Sequence, residues 1–202
     1  KASKDHPLKM YYSDFDNNET TETIVCNYNK DGYYPILGLD ELASQLISLR
    51  KKYPSYKNFA GKQISEIIEK SDLDSAKELN VHTLSSGYLK NINNQYTFVP
   101  FKSELQIAPI TSFLKYDFDD DGTFEILVGG NYFGVTPYHG RFDSFPGALI
   151  KNDSTVILGN KIALNFSNKA IKSLNIISFK QQPFLMVTVN NDKAQVYELT
   201  NQ

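Results

Sequence analysis

Residues 115–128 read KYDFDDDGTFEILV, and this stretch decides the interpretation of the chain. Acidic side chains stand at the first, third and fifth positions of a loop, and the ninth position is acidic again. The residues that follow are apolar and partly β-branched, which is typical of a strand. We call residues 117–125 loop 2, because an earlier stretch has the same pattern.

The earlier stretch, residues 12–25, reads YSDFDNNETTETIV and contains loop 1 at residues 14–22. Both loops carry oxygen-bearing side chains at positions one, three, five and nine, so they form an internal repeat. Position six is Gly122 in loop 2 but Glu19 in loop 1. A glycine at this position permits the sharp turn that closes a loop around an ion, so the sequence favours ion binding at loop 2 over loop 1.

Alternating carboxylates suit a hard cation such as Ca²⁺, which takes about six to eight oxygen ligands. An EF-hand begins in the same way, but it needs a glutamate at position twelve and a helix after the loop. Position twelve is Val25 in loop 1 and Val128 in loop 2, so neither loop is an EF-hand. The alternative to a metal site is a pair of Asp/Asn-rich turns without an ion. The predicted ligands, with the threonines acting through their carbonyl groups, are Asp117, Asp119, Asp121, Thr123 and Glu125 in loop 2 and Asp14, Asp16, Asn18, Thr20 and Glu22 in loop 1.

The composition excludes several classes of protein. The 202 residues include 13 Tyr and 13 Phe and carry a net charge of −2, so the chain is neither disordered nor a basic nucleic-acid binder. No apolar run approaches the roughly 20 residues of a spanning helix. The single cysteine, Cys26, is expected to be a buried hydrophobe, and the three histidines form no metal or triad pattern. No catalytic residue is predicted.

Strand patterns occupy residues 9–35 and return from residue 84 to the end of the chain, with Asn, Asp and Gly clusters between them. Leucines at spacings of three and four predict a helix over residues 39–52, and weaker spacings predict short helices around residues 64–68 and 76–79. The strands predicted in the second region are 87–91, 96–100, 110–116, 124–129, 147–151, 155–158, 171–178, 184–189 and 194–199.

On these loops the sequence resembles the FG-GAP/VCBS repeat proteins, the integrin-α-like β-propellers. Their blades carry an acidic calcium loop that leads into an apolar strand and a small-residue turn, as residues 117–131 do. The order of parts is also similar to that of large FG-GAP/VCBS proteins of the bacterial cell envelope. The features that carry this narrower likeness are the helical segment that follows Tyr34-Pro35 and the Gly-Arg-Phe-Asp stretch at 140–143.

The resemblance implies a mainly β fold, namely a partial β-propeller with a short α-helical insertion. A first blade with loop 1 would span residues 1–38, the insertion 39–80, and further blades with loop 2 residues 81–202. A blade needs about four strands and a propeller about four to eight blades, so the chain is expected to be a piece of a longer propeller. An open blade edge would allow two copies to pair.

The resemblance also implies one or two structural Ca²⁺ ions and a non-catalytic binding or adhesion role. The expected location is extracellular, at the cell surface or periplasmic, and the expected ligand is a protein or glycan. Two alternatives remain open: a metal-dependent enzyme that acts on a glycan or phosphoester, and purely structural blades that complete a larger propeller. Neither nucleic acid nor a membrane span is expected.

Residues 132–143 form the one further candidate binding stretch, because they combine aromatic and charged side chains in a glycine-punctuated loop. Such combinations suit sugar or peptide binding. The alternative is a long connection held by its own charge pair. The candidate ligand-binding residues are Tyr138, His139, Arg141 and Asp143.

Overall fold

The structure, a computed structural model, describes residues 2–136, 140–151 and 155–199. The chain divides into two compact units, Lys1–Leu84 and Ser85–Gln202. Both are built on antiparallel sheets, and none of the sheets within the described ranges closes on itself. The fold is therefore mainly β, as the sequence predicts.

The first unit contains one four-stranded antiparallel sheet in the order β3-β2-β1-β4. Strands β1 and β2 form the hairpin that carries loop 1. The strands are β1 (Leu8–Ser13), β2 (Glu22–Asn29), β3 (Gly32–Pro35) and β4 (Lys77–Val81).

Five short helices lie between β3 and β4. Their buried leucines and isoleucines share one core with Ile24 and Cys26 of β2. Cys26 is fully buried, as predicted, and burial raises the pKa of its thiol to about 12. The helices are α1 (Leu39–Gln45), α2 (Ser48–Lys52), α3 (Tyr56–Phe59), α4 (Ile64–Ile67) and α5 (Lys70–Ser75).

Two details of the helical segment differ from the sequence prediction. The helix predicted over residues 39–52 is interrupted at Leu46, although its four leucines are all buried. The helix predicted around residues 76–79 is wrong, because Leu79 lies in β4, opposite Met10 of β1. Pairing with a neighbouring strand outweighs a weak local preference for helix.

The second unit contains a hairpin, a four-stranded sheet in the order β10-β9-β8-β7 and a three-stranded sheet in the order β11-β12-β13. Every strand predicted from residue 87 onward is confirmed, with its ends within two residues of the predicted ones. The strands are β5 (Gly87–Ile92), β6 (Gln95–Pro100), β7 (Ile110–Tyr116), β8 (Glu125–Gly130), β9 (Ala148–Lys151), β10 (Thr155–Leu158), β11 (Ile171–Phe179), β12 (Gln182–Val189) and β13 (Gln195–Glu198).

Alternation along β8 and β9 gives the four-stranded sheet two apolar faces. Leu127 and Leu149, which are paired, pack with Leu185 of the three-stranded sheet in one core. Val128 and Ala148, the next pair, belong to a separate core on the opposite face. Loop 2 therefore leads into a strand, β8, that contributes to a core on each face of the sheet.

Asn131, the first residue after β8, ties three segments of the second unit together. It is 1% exposed and adopts a left-handed conformation with φ of +77°. Its Nδ2 donates to the carbonyls of Phe145 at 2.9 Å, Phe166 at 2.9 Å and Lys169 at 3.0 Å. Its Oδ1 accepts from the Phe145 N–H at 3.0 Å. The side chain thus satisfies buried backbone groups that have no place in a sheet ladder.

Candidate metal-binding loops

Both loops connect neighbouring antiparallel strands, loop 1 between β1 and β2 and loop 2 between β7 and β8. The strand pairing that closes them is the same. Ser13 lies opposite Glu22 in the first hairpin, and Tyr116 lies opposite Glu125 in the second. The residue before position one therefore faces position nine in each loop, which places the ninth side chain at the base of the hairpin.

Loop 2 is folded around the carboxylate at its first position. Asp117 Oδ1 accepts from the Asp121 N–H at 3.2 Å, and Asp117 Oδ2 accepts from the Gly122 N–H at 3.0 Å. Asp121 Oδ1 accepts from the Thr123 N–H at 2.7 Å and from its hydroxyl at 2.6 Å. The hydrogen bonds from Thr123 lower the pKa of Asp121, so this side chain is an anion at neutral pH.

Loop 1 repeats this framework bond for bond, although four of its nine residues differ. Asp14 Oδ1 accepts from the Asn18 N–H at 3.1 Å, and Asp14 Oδ2 accepts from the Glu19 N–H at 2.9 Å. Asn18 Oδ1 accepts from the Thr20 N–H at 2.8 Å and also from the Thr20 hydroxyl. The repeat seen in the sequence is therefore a repeat of structure.

The ninth residue of each loop is a buried glutamate that reaches back to the second position. Glu22 Oε2 accepts from the Phe15 N–H at 2.9 Å, and Glu125 Oε2 accepts from the Phe118 N–H at 2.9 Å. Both glutamates are only 3% exposed. A carboxylate is costly to bury without compensation, so these two positions call for a cation or a donor network nearby.

Positions four and six of both loops have a positive φ. The values are +56° at Asn17 and +68° at Glu19 in loop 1, and +54° at Asp120 and +85° at Gly122 in loop 2. Glycine adopts this region freely, whereas other residues pay roughly 1–2 kcal/mol. Glu19 therefore adopts the left-handed conformation of Gly122 at the cost of backbone strain. The presence of glutamate instead of glycine at position six does not change the backbone shape of loop 1.

Replacing Glu19 with glycine is expected to stabilise the first unit by up to about 1 kcal/mol, because the relief of backbone strain exceeds the cost of the added freedom of the unfolded chain. The matched change, Gly122→Ala in loop 2, is expected to destabilise the second unit by about 1 kcal/mol, although nothing lies within 4 Å of the added carbon. Urea unfolding in EDTA measures both changes. Equal stabilities for Glu19→Gly and wild type would contradict the strain argument.

The third position distinguishes the two loops. Asp16 Oδ1 in loop 1 is buried from solvent and has no hydrogen-bond partner. Asp119 Oδ2 in loop 2 instead forms an ion pair with the ammonium group of Lys151, the last residue of β9. This contact with Asp119 raises the pKa of Lys151. The sequence of loop 2 gives no sign of Lys151, which lies 32 residues further along the chain.

Each loop gathers carboxylates closely enough to hold a metal ion. One oxygen from each of Asp14, Asp16 and Glu22 lies within 4.8 Å of the others, and the same holds for Asp117, Asp119 and Asp121. Unpaired carboxylates at such distances repel one another, and an all-oxygen set is what a hard divalent cation prefers. In loop 1 the buried Asp16 Oδ1, which accepts no hydrogen bond within the described residues, offers such a cation a ligand oxygen.

The candidate ligand-binding stretch is described only in part. Tyr138 and His139 lie outside the described residues. The guanidinium carbon of Arg141 lies 5.1 Å from the centre of the Phe133 ring. The Asp143 carboxylate accepts from the neighbouring Ser144 hydroxyl at 3.2 Å. Arg141 and Asp143 therefore contact different neighbours, and these contacts do not join them in one binding site.

Comparison of the chain with protein-family models, with curated proteins and with solved structures found no match. Across the described ranges, none of the helices is both long and apolar enough to cross a membrane. The two loops and the sheets that carry them are therefore the features of this chain that point to a function.

Proposed function

We propose that this chain is a calcium-stabilised segment of a β-propeller of the FG-GAP/VCBS type. It acts as a non-catalytic binding or adhesion module of a protein at the cell surface or in the bacterial envelope. One observation carries the proposal: two hairpin loops share the same hydrogen-bond framework and the same left-handed positions, and each gathers three carboxylates. Two unrelated turns have no reason to share all three features.

Calcium fits these loops because it accepts about six to eight oxygen ligands at distances of roughly 2.3–2.6 Å in flexible geometry. A bound ion would neutralise the carboxylate cluster and link the first half of each loop to the glutamate at the hairpin base. Its role would be structural, since it would stabilise the native state by binding it selectively. The ligands would be Asp14, Asp16, Asn18, the Thr20 carbonyl and Glu22 in loop 1, and Asp117, Asp119, Asp121, the Thr123 carbonyl and Glu125 in loop 2.

An apolar groove of about 470 Å³ supports a binding role for the second unit. Tyr88 and Phe101 line one side of it, and Phe113, Phe124 and Ile126 of the four-stranded sheet region line the other. The last three are 55%, 59% and 39% exposed. Large apolar side chains that stay accessible and contiguous mark surfaces that bind a partner.

Within the described residues, β13 is the outer strand of its sheet, which supports a second candidate in which the chain contributes structural blades to a larger propeller. The sheet β7–β10 is a meander of four neighbouring strands, and β11–β13 repeats this meander with three strands. An additional strand beside β13 would complete the same pattern, since an exposed strand edge is a template for pairing.

Thermal unfolding in excess Ca²⁺ and in excess EDTA tests the calcium proposal. An ion present at about 100 times its Kd adds about 2.7 kcal/mol to the free energy of unfolding, which raises the Tm of a domain of this size by roughly 10 °C. Asp16→Asn and Asp119→Asn are each expected to diminish the calcium-dependent increase. Mg²⁺ at the same ionic strength is the control. Identical Tm values in Ca²⁺ and EDTA would contradict the proposal.

A further inference from the structure

The ion pair between Lys151 and Asp119 is the main difference between two loops that otherwise share one framework. Its side chains are 36% and 33% exposed, so the pair is neither buried nor fully open to solvent. In loop 1 the carboxylate at the same position belongs to Asp16, whose Oδ1 is buried and has no hydrogen-bond partner within the described part of the chain. The third position is thus already occupied by a positive charge in loop 2 and unpaired in loop 1.

We propose that Lys151 is a built-in counter-ion of loop 2, which a divalent cation must displace from Asp119, so that loop 2 binds the cation more weakly than loop 1. This inference rests on the proposed function, because it concerns the regulation of the same metal-binding loops. It reverses the order of cation affinities that Gly122 and Glu19 suggest from the sequence, which favours loop 2 over loop 1.

The physical reason is competition between two cations for one carboxylate. Asp119 supplies one oxygen to the cluster with Asp117 and Asp121, and the Lys151 ammonium holds the Asp119 carboxylate through its Oδ2. A divalent ion in the cluster would lie only a few ångströms from that ammonium, and the two positive charges repel. Cation binding therefore has to break the ion pair and move Lys151 away.

The surroundings of Lys151 leave room for this movement. Lys151 and Asp119 both line a cavity of about 480 Å³, and Glu198 of β13 lines the same cavity. Much of the cavity wall is apolar and includes Leu127, Leu149 and Leu185 of the core. The Lys151 side chain is 36% exposed, however, so its ammonium group can leave Asp119 for solvent or for the second carboxylate on the wall. Displacement of Lys151 would exchange its partner Asp119 for another and leave the sheets unchanged.

The consequence is a chain that binds two ions at different concentrations. Loop 1 would fill first because nothing has to leave Asp16. Loop 2 would fill at higher cation concentration and would at the same time release a lysine into the cavity beside β13. Occupancy of loop 2 would thus change the charge of a neighbouring surface, whereas occupancy of loop 1 would not.

Calcium titration by calorimetry tests the inference in the Asp16→Asn background, where loop 2 is the loop under study. Lys151→Met is expected to lower the Kd of loop 2 by about three- to tenfold, the effect of removing one partly exposed ion pair and its charge. Lys151→Arg keeps the positive charge and is expected to leave the Kd close to that of the background. Lys161→Met removes another lysine of the same cavity and should change the Kd less than twofold.

The direct comparison of the loops uses Asp119→Asn, which leaves loop 1, against Asp16→Asn, which leaves loop 2. The loop 1 protein is expected to have the lower Kd. A Kd for loop 2 that Lys151→Met leaves unchanged, in a protein that binds Ca²⁺, would overturn the inference and leave the proposed function standing. Absence of calcium binding in wild type and in Lys151→Met would overturn both. Unfolding in EDTA checks that each variant is folded.

Discussion

The Asn131→Ala variant is expected to lose about 3–4 kcal/mol of unfolding free energy in the second unit. The substitution leaves the buried Phe145 N–H without its acceptor and removes a donor from three backbone carbonyls. Each unsatisfied buried group costs roughly 1–3 kcal/mol, and alanine also fits poorly at a φ of +77°. Urea unfolding followed by circular dichroism measures the loss.

Two further variants separate the causes of this loss. Asn131→Gly removes the same hydrogen bonds but tolerates the backbone conformation, so it is expected to be about 1 kcal/mol less damaging than Asn131→Ala. Asn175→Ala is the matched control, because Asn175 is an exposed asparagine in β11 whose amide donates to the Ser173 hydroxyl at 3.1 Å. A loss below 1 kcal/mol for Asn131→Ala would show that the three segments are held by packing alone.

The stability of the Glu22→Gln variant relative to wild type is expected to depend on whether Ca²⁺ is present. In EDTA it should be as stable as wild type or more stable, because the amide oxygen can still accept from the Phe15 N–H while repulsion from Asp14 and Asp16 falls. In excess Ca²⁺ it should be less stable than wild type by about 2–3 kcal/mol. A hundredfold weaker binding corresponds to a loss of this size.

Glu19→Gln is the matched control, since it removes one negative charge from the same loop but not from the carboxylate cluster. Its stability should follow that of wild type in both solutions. Tm measurements of each variant in Ca²⁺ and in EDTA show whether the effect of Glu22→Gln depends on the cation. If Glu22→Gln were destabilising by the same amount in both, the buried glutamate would act only through its hydrogen bond to the hairpin.

Local patterns in the sequence were sufficient to predict the strands of the second unit and the repeat of the two acidic loops. A strand such as residues 110–116 is marked by its own alternation, and the nine loop residues contain the side chains that fold the loop. Lys151 and the partners of Asn131 could not be predicted in this way, because they come together through strand pairing and sheet packing between distant segments. The comparison of Glu19 with Gly122 predicts the relative cation affinity of the loops from the backbone at position six alone. It takes no account of Lys151.

The placement of Glu22 and Glu125 at the hairpin bases has a consequence for how the strands find their alignment. A connection of this length would by itself tolerate slippage, and a slip of one residue turns every side chain to the opposite face. In both hairpins the N–H at position two donates to the glutamate at position nine, so this hydrogen bond favours the native alignment. Each acidic loop therefore favours the native strand register through a contact between residues that are close in sequence, and this contact can form before distant strands meet. A cation that stabilises the closed loop would favour the same register.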